Sequence, residues 1–124
     1  MFEVDSDKTI HITRGDVGVI EISPKGSEGE SYALNVGDVV RLKVVEKNDY
    51  SSVVMVKDTV VEDHNETIDI KLEKKDTKIG SIINKPVTYW YEIELNPDTE
   101  PQTIIGHDKE GAKAFILYPE GGDK

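Results

Sequence analysis

From Val87 to Leu95 the chain alternates without a break, with Val87, Tyr89, Tyr91, Ile93 and Leu95 apolar or aromatic and Thr88, Trp90, Glu92 and Glu94 between them. Successive side chains of a strand point to opposite faces, so this pattern predicts a long central strand. Tyr89 and Tyr91 then face a core, and Trp90 faces away from it.

Shorter alternations surround this segment. Thr9 to Thr13 sets Ile10 and Ile12 against Thr9, His11 and Thr13, and Val17 to Ile22 turns Ile20 and Ile22 inward beside Gly18. Tyr32-Ala33-Leu34 reads as a short strand. Val39 to Glu46 places Val40, Leu42 and Val44 on one face and Arg41 and Lys43 on the other. Val53 to Lys57 is an apolar run too short for its period to be read, whereas Glu66 to Leu72 sets Ile68, Ile70 and Leu72 against Thr67, Asp69 and Lys71. Gln102 to Ile105 and Ala114 to Tyr118 close the series. Turn residues punctuate it, at Gly15-Asp16, across the polar loop Ser23 to Glu30, and at Asn96 to Pro101. Glu73 to Gly80 is expected to form one helical turn crossing between sheets. The whole predicts an all-β, antiparallel β-sandwich of roughly eight strands. It forms a single domain over 1–124 with a core at about 8–119 and flexible ends, Met1 to Lys8 and Glu120 to Lys124.

Composition narrows the function. The chain has 124 residues, 25 acidic against 15 basic, and a net charge of −10. That balance argues against nucleic acid, whose phosphates demand clustered Lys and Arg, and against anionic membranes. The opening Met1 to Asp7 is acidic and lacks the basic and apolar regions of a signal peptide, and no later segment reaches the apolar length that crosses a bilayer. The expectation is a soluble protein that does not leave by the usual N-terminal route. With no cysteine there are no disulfides, thiolate metal sites or cysteine nucleophiles, which fits a reducing compartment.

Candidate chemistry is thin. Arg14-Gly15-Asp16 matches the tripeptide that integrins recognise, yet it sits between two strand patterns where Gly and Asp supply turn geometry. His11, His64 and His107 are far apart and lack zinc-ligand spacing. Asp5 with Asp7, and Glu62 with Asp63, offer carboxylates but no EF-hand loop, and read as solvated clusters. Asn65-Glu66-Thr67 satisfies the N-glycosylation pattern by accident where no export signal precedes it. No nucleophile elbow or local triad motif appears. The expectation is a non-enzyme with no metal and no cofactor.

Tyr89 and Tyr91 read as core residues whose hydroxyls reach a loop, similar to the tyrosine corner of immunoglobulin-like domains. Trp90 has two readings. It covers a small satellite cluster with Val39, Val45 or Tyr118, or it anchors a protein interface, where tryptophan is enriched at energetic hot spots.

In order along the chain, Thr9 to Asp16, Tyr32-Ala33-Leu34-Asn35-Val36-Gly37-Asp38 leading into Val39 to Leu42, the turn at Asp76-Thr77, Tyr89 to Leu95, then Thr103-Ile104 and Phe115-Ile116-Leu117 form an ordered set. This set resembles the immunoglobulin-like N-terminal domain of baseplate upper proteins and related tail structural proteins in phages of Gram-positive bacteria. The resemblance runs from about Lys8 to Pro119 and rests on the ordering, since Gly-Asp turns and aromatic strands are common singly. It implies an immunoglobulin-like sandwich acting as a non-enzymatic structural or interaction module of a bacteriophage or prophage tail or baseplate. Such a module is made in the host cytoplasm, is carried in the virion, and docks to other tail proteins or to copies of itself as a trimer or ring. Domains of that family generally continue into long helical or fibrous trimerising segments, and no such pattern follows Tyr118-Pro119-Glu120. The contact residues expected from alternation are Trp90, Arg41 and Lys43. The alternative is a carbohydrate-binding β-sandwich, with Trp90 stacking on a sugar. An enzyme on a jelly-roll or cupin-like barrel would need clustered histidines or carboxylates facing inward, a pattern not seen here.

Overall fold

The alternation read from the sequence appears in the computed structural model as alternate burial. The structure describes residues 1–24, 34–47, 52–63, 67–99, 101–106 and 111–120. Nine strands and one helical turn follow in chain order: β1 (Phe2–Val4), β2 (Ile10–Thr13), β3 (Gly18–Ile22), β4 (Val39–Val45), β5 (Val53–Val60), β6 (Ile68–Leu72), α1 (Lys74–Thr77), β7 (Val87–Leu95), β8 (Gln102–Ile105) and β9 (Lys113–Tyr118). They make an all-β sandwich from one seven-stranded sheet, ordered β1-β2-β9-β7-β4-β5 with β8 also on β7, and one two-stranded sheet, β3-β6.

The strand from Val87 to Leu95 is central, as its length predicted. One edge of β7 pairs with β4 from Trp90 to Leu95, while the other pairs with β9 from Val87 to Tyr91 and then with β8 from Ile93 to Leu95. Every described pairing is antiparallel except β2 with β9, which run parallel and join the two ends of the chain, Ile10 lying opposite Phe115 and Thr13 opposite Tyr118. Parallel neighbours cannot be joined by a hairpin, and here nearly the whole chain serves as the crossover.

The two sheets bury their inner faces against each other. Ile10, Ile12, Val40, Leu42, Val44, Tyr91, Ile93, Phe115 and Leu117 of the large sheet meet Ile20, Ile22, Ile70 and Leu72 of the small one, all almost wholly buried in one core. Leu34 and Ile79 add to this core from outside the strands. Truncating a residue such as Leu42 to alanine would cost about 2–5 kcal/mol.

The chain from Glu73 to Gly80 does form a single helical turn on the path from β6 in the small sheet to β7 in the large one. The Glu73 carboxylate accepts from the N3 backbone and the Asp76 side chain accepts from the N-cap N–H, a reciprocal cap that starts α1. β5 runs three residues beyond the apolar stretch that predicted it, through Asp58, Thr59 and Val60, because β4 offers a pairing partner along its whole length.

The N-terminal segment, expected to be a flexible end, is instead built into the sheet. β1 pairs with β2, Met1 N–H3+ contacts the Asp16 carboxylate, and the Phe2 ring lies over Gly18, whose absent Cβ would fall 2.5 Å from it. Alternation could not reveal this, since β1 is short and leaves Glu3 and Val4 exposed. At the other end Glu120 holds Arg14 at 2.6 Å. Tyr32-Ala33, His64, His107, the Asn65-Glu66 part of the glycosylation pattern, and residues 121–124 lie outside the described residues.

Candidate functional site

The outer face of the large sheet gathers all three residues that alternation turned outward. Direct cross-strand partners set it out as transverse rows. Val53, Val45, Trp90 and Ala114 form one row across β5, β4, β7 and β9. The next row is Val56, Lys43 and Glu92. Beyond it come Asp58, Arg41, Glu94 and Thr103. Side chains directly opposite in an antiparallel pair have Cβ atoms about 5 Å apart, so each row is a contiguous strip.

Trp90 is half-buried. Beside it Val45, outward by alternation, is 0% exposed and yet stands outside the main core cluster. It is therefore covered from the outer side, with Trp90 its direct neighbour. The other companions considered for Trp90 are elsewhere. Val39 lies six residues along β4 from Val45, about 20 Å at strand rise, and Tyr118 lies four residues along β9 from Ala114, about 13 Å.

Arg41 and Lys43 face outward, but each is already engaged. The Arg41 guanidinium donates to both Asp58 oxygens, at 2.7 and 3.0 Å, and to both Asp98 oxygens, at 3.2 and 3.1 Å. These two carboxylates push its pKa higher still. Lys43 Nζ lies 2.9 Å from Glu92 and 3.8 Å from Glu94, and the Glu92 hydrogen bond raises its pKa above the ordinary 10.5. Pairs this exposed add little stability, and their effect is to fix the side chains in place. Asp98 is carried there by the turn after β7, where Asn96, at φ 49°, accepts from Val39 N–H at 2.9 Å through its side chain.

Sequence reasoning placed the cations but not their partners. Glu92 and Glu94 were readable as outward residues of β7, whereas Asp58 and Asp98 needed the pairing register. It also missed an Asp5–His11–Tyr118 chain on the same face. His11 Nε2 lies 2.7 Å from the Asp5 carboxylate, which accepts from it, and Nδ1 lies 2.7 Å from the Tyr118 hydroxyl, a group that can donate or accept. Lys113 was missed too. Counting back from Phe115 would have turned it inward, where it is 6% exposed.

The remaining motifs are structural. Arg14 is 9% exposed and donates to Ile79 O, Gly80 O and Glu120 Oε1, so the arginine of the integrin-like tripeptide is buried in the fold, while the Asp16 side chain stays 45% exposed. Gly15 takes a φ of +85°, a region glycine enters without strain. Its N–H donates to Thr77 Oγ1, whose hydroxyl donates to Asp16 O at 2.7 Å. Tyr91 is buried, and its hydroxyl donates to Lys8 O at 2.5 Å, a loop carbonyl as expected. Asp7 accepts from Thr9 N–H at 3.0 Å, which, with a smaller contribution from the charge of Lys113, holds its carboxyl below the ordinary 3.8. Among the described residues no group of three or more His, Asp or Glu side chains converges as a metal site, and no helix is long and apolar enough to cross a membrane.

Compared with known proteins, the chain matches no family model, no curated protein and no solved structure.

Proposed function

We propose that this domain is a non-enzymatic structural module that docks to other proteins through the outer face of its large sheet, with Trp90 as the anchor and Arg41 and Lys43 as its rim. The observation that carries the reading is the apolar row Val53–Val45–Trp90–Ala114, flanked on one side by two successive rows of paired charges. Interfaces are built in this way, with a desolvated aromatic centre inside a polar border that excludes water without supplying much energy. The setting we propose is the tail or baseplate of a bacteriophage or prophage, with an immunoglobulin-like module docking to neighbouring tail proteins or to its own copies in a trimer or ring. Support for that setting is the ordered motif set from Thr9 to Leu117.

The carbohydrate-binding alternative is less favoured by the same face. A sugar platform needs several coplanar rings, and among the described residues the other aromatic on this face, Tyr118, is occupied by His11, with ring centroids 5.8 Å apart.

Light scattering across a concentration series, on wild type and Trp90→Ala together with their melting temperatures, tests the proposal. The expected result is a defined oligomer that the substitution dissolves while the fold melts within a few degrees of wild type. An unchanged oligomeric mass with a clear loss of thermal stability would make Trp90 a packing residue and overturn the assignment. A wild type that is monomeric throughout would turn the same face toward a different protein, and a glycan array with hits lost in Trp90→Ala would favour the alternative.

A further inference from the structure

A second surface, apart from the Trp90 face, lies where the large sheet ends. β5 is the last strand in the sheet order, and among the described residues no strand pairs with its far side. An open edge presents a row of backbone N–H and C=O groups ready to pair with another strand. Along the C-terminal half of β5 this edge borders a groove of about 600 Å3, lined by consecutive residues Lys57 to Asp63 and, opposite, by β6 and Glu21 of β3. Val60, 56% exposed, gives the edge an apolar contact.

The groove is sharply one-signed. Glu21, Asp58, Glu62, Asp63, Asp69 and Glu73 face two lysines, Lys57 and Lys71. Lys57 pairs with Glu73 and Asp76, at 2.9 and 3.0 Å, and Asp58 pairs with Arg41 at 2.7 Å, so the excess charge is that of Glu21, Glu62, Asp63 and Asp69 against Lys71. Most telling is the register of the small sheet, which sets Glu21 directly opposite Asp69. Like charges directly opposed across a pair of strands are destabilising, and among the described residues neither carboxylate has an ion-pair partner, Lys71 lying only diagonally opposite Glu21. A positive side chain laid against it would remove the repulsion. A second copy of the chain would not, because it would bring the same carboxylates to the same edge.

We infer that the β5 edge and its acidic groove take up an extended, lysine- or arginine-bearing segment of a partner protein, which adds as a strand to β5 and turns its cationic side chains toward Glu21, Glu62 and Asp69. Main-chain pairing gives such a complex its affinity, and the alternate side chains give it selectivity.

The test uses a fluorescein-labelled peptide of roughly ten residues alternating lysine and valine, followed by fluorescence anisotropy. Three comparisons accompany it: a glutamate–valine peptide, the lysine peptide with alternate amides N-methylated, and the protein variant Asp69→Lys. N-methylation keeps every charge and removes backbone donors. Asp69→Lys relieves the repulsion with Glu21, so loss of the fold is not an alternative explanation. The lysine peptide is expected to bind, the glutamate peptide not to bind, and both N-methylation and Asp69→Lys to weaken binding at least about tenfold. Trp90→Ala is expected to leave this binding unchanged, which separates the groove from the Trp90 face. Failure of the lysine peptide to bind, equal binding of the N-methylated peptide, or equal binding to Asp69→Lys would each overturn the inference.

Discussion

At the scale of single residues, the polar groups with the greatest structural consequence are buried. Thr77 is 0% exposed, and its hydroxyl both accepts from Gly15 N–H and donates to Asp16 O, so one side chain ties α1 to the β2–β3 turn. Thr77→Val keeps the shape and removes both bonds, leaving a backbone N–H and C=O unpaired away from water. We expect a loss of about 1–3 kcal/mol, measurable by urea denaturation with an unchanged m-value. Arg14 beside it shows why a tripeptide match carries little: its guanidinium is engaged by two carbonyls and a carboxylate inside the fold, so the motif displays no arginine.

At the scale of elements, β1 shows how a short strand is held by few contacts. It is three residues long with only Phe2 partly buried, and beyond pairing with β2 its hold on the molecule is the Phe2 ring over Gly18 and, one residue earlier, the Met1 ammonium on Asp16. A methyl at Gly18 would lie 2.5 Å from that ring, closer than atoms can approach, and an edge aromatic yields by swinging out. Gly18→Ala is expected to cost about 1–2 kcal/mol and to speed amide exchange at Phe2 to Val4 while β4 and β7 stay protected. Equal exchange of β1 in both proteins would show that the ring contact does not retain it. The long β7 is the opposite case, flanked on both edges and buried on one face, so its stability is that of the whole domain.

At the scale of the molecule, a chain with net charge −10 is sensitive to pH at both ends. Glu73 sits below its ordinary 4.5, first through the Lys57 hydrogen bond, and Asp7 below its ordinary 3.8 through Thr9. A carboxyl lowered by folding adds stability above its unfolded pKa and loses it as pH falls through the folded value, so this loss comes in the acid range below about pH 4. Lys57 and Lys43 are raised above 10.5, by Glu73 and Glu92 respectively. Their contribution is complete below that value and is lost as pH rises past it. The melting temperature should therefore fall on both sides. In Lys57→Gln both limbs should become shallower, because the same contact lowers Glu73 and raises Lys57. Melting curves from pH 3 to about 11 check this, and limbs parallel to wild type would show that the contact is not formed in solution.

Much of this architecture was legible in the chain itself, and the limit is physical. A strand has a period of two, so alternation alone determined the burial of Ile10, Leu42 and Tyr91, the outward turn of Trp90, Arg41 and Lys43, and the all-β class. The helical turn expected within Glu73 to Gly80 is there at Lys74–Thr77, and the structure shows the Glu73–Asp76 cap that starts it. Pairing is not local, and tertiary structure alone decided it. The chain does not state that β9 closes on β2 in parallel, that Val45 rather than Val39 or Tyr118 stands beside Trp90, that Asp58 and Asp98 claim Arg41, or that Glu21 opposes Asp69. Each follows from register between residues remote in sequence, and register is a property of the assembled sheet, set by which buried faces must meet.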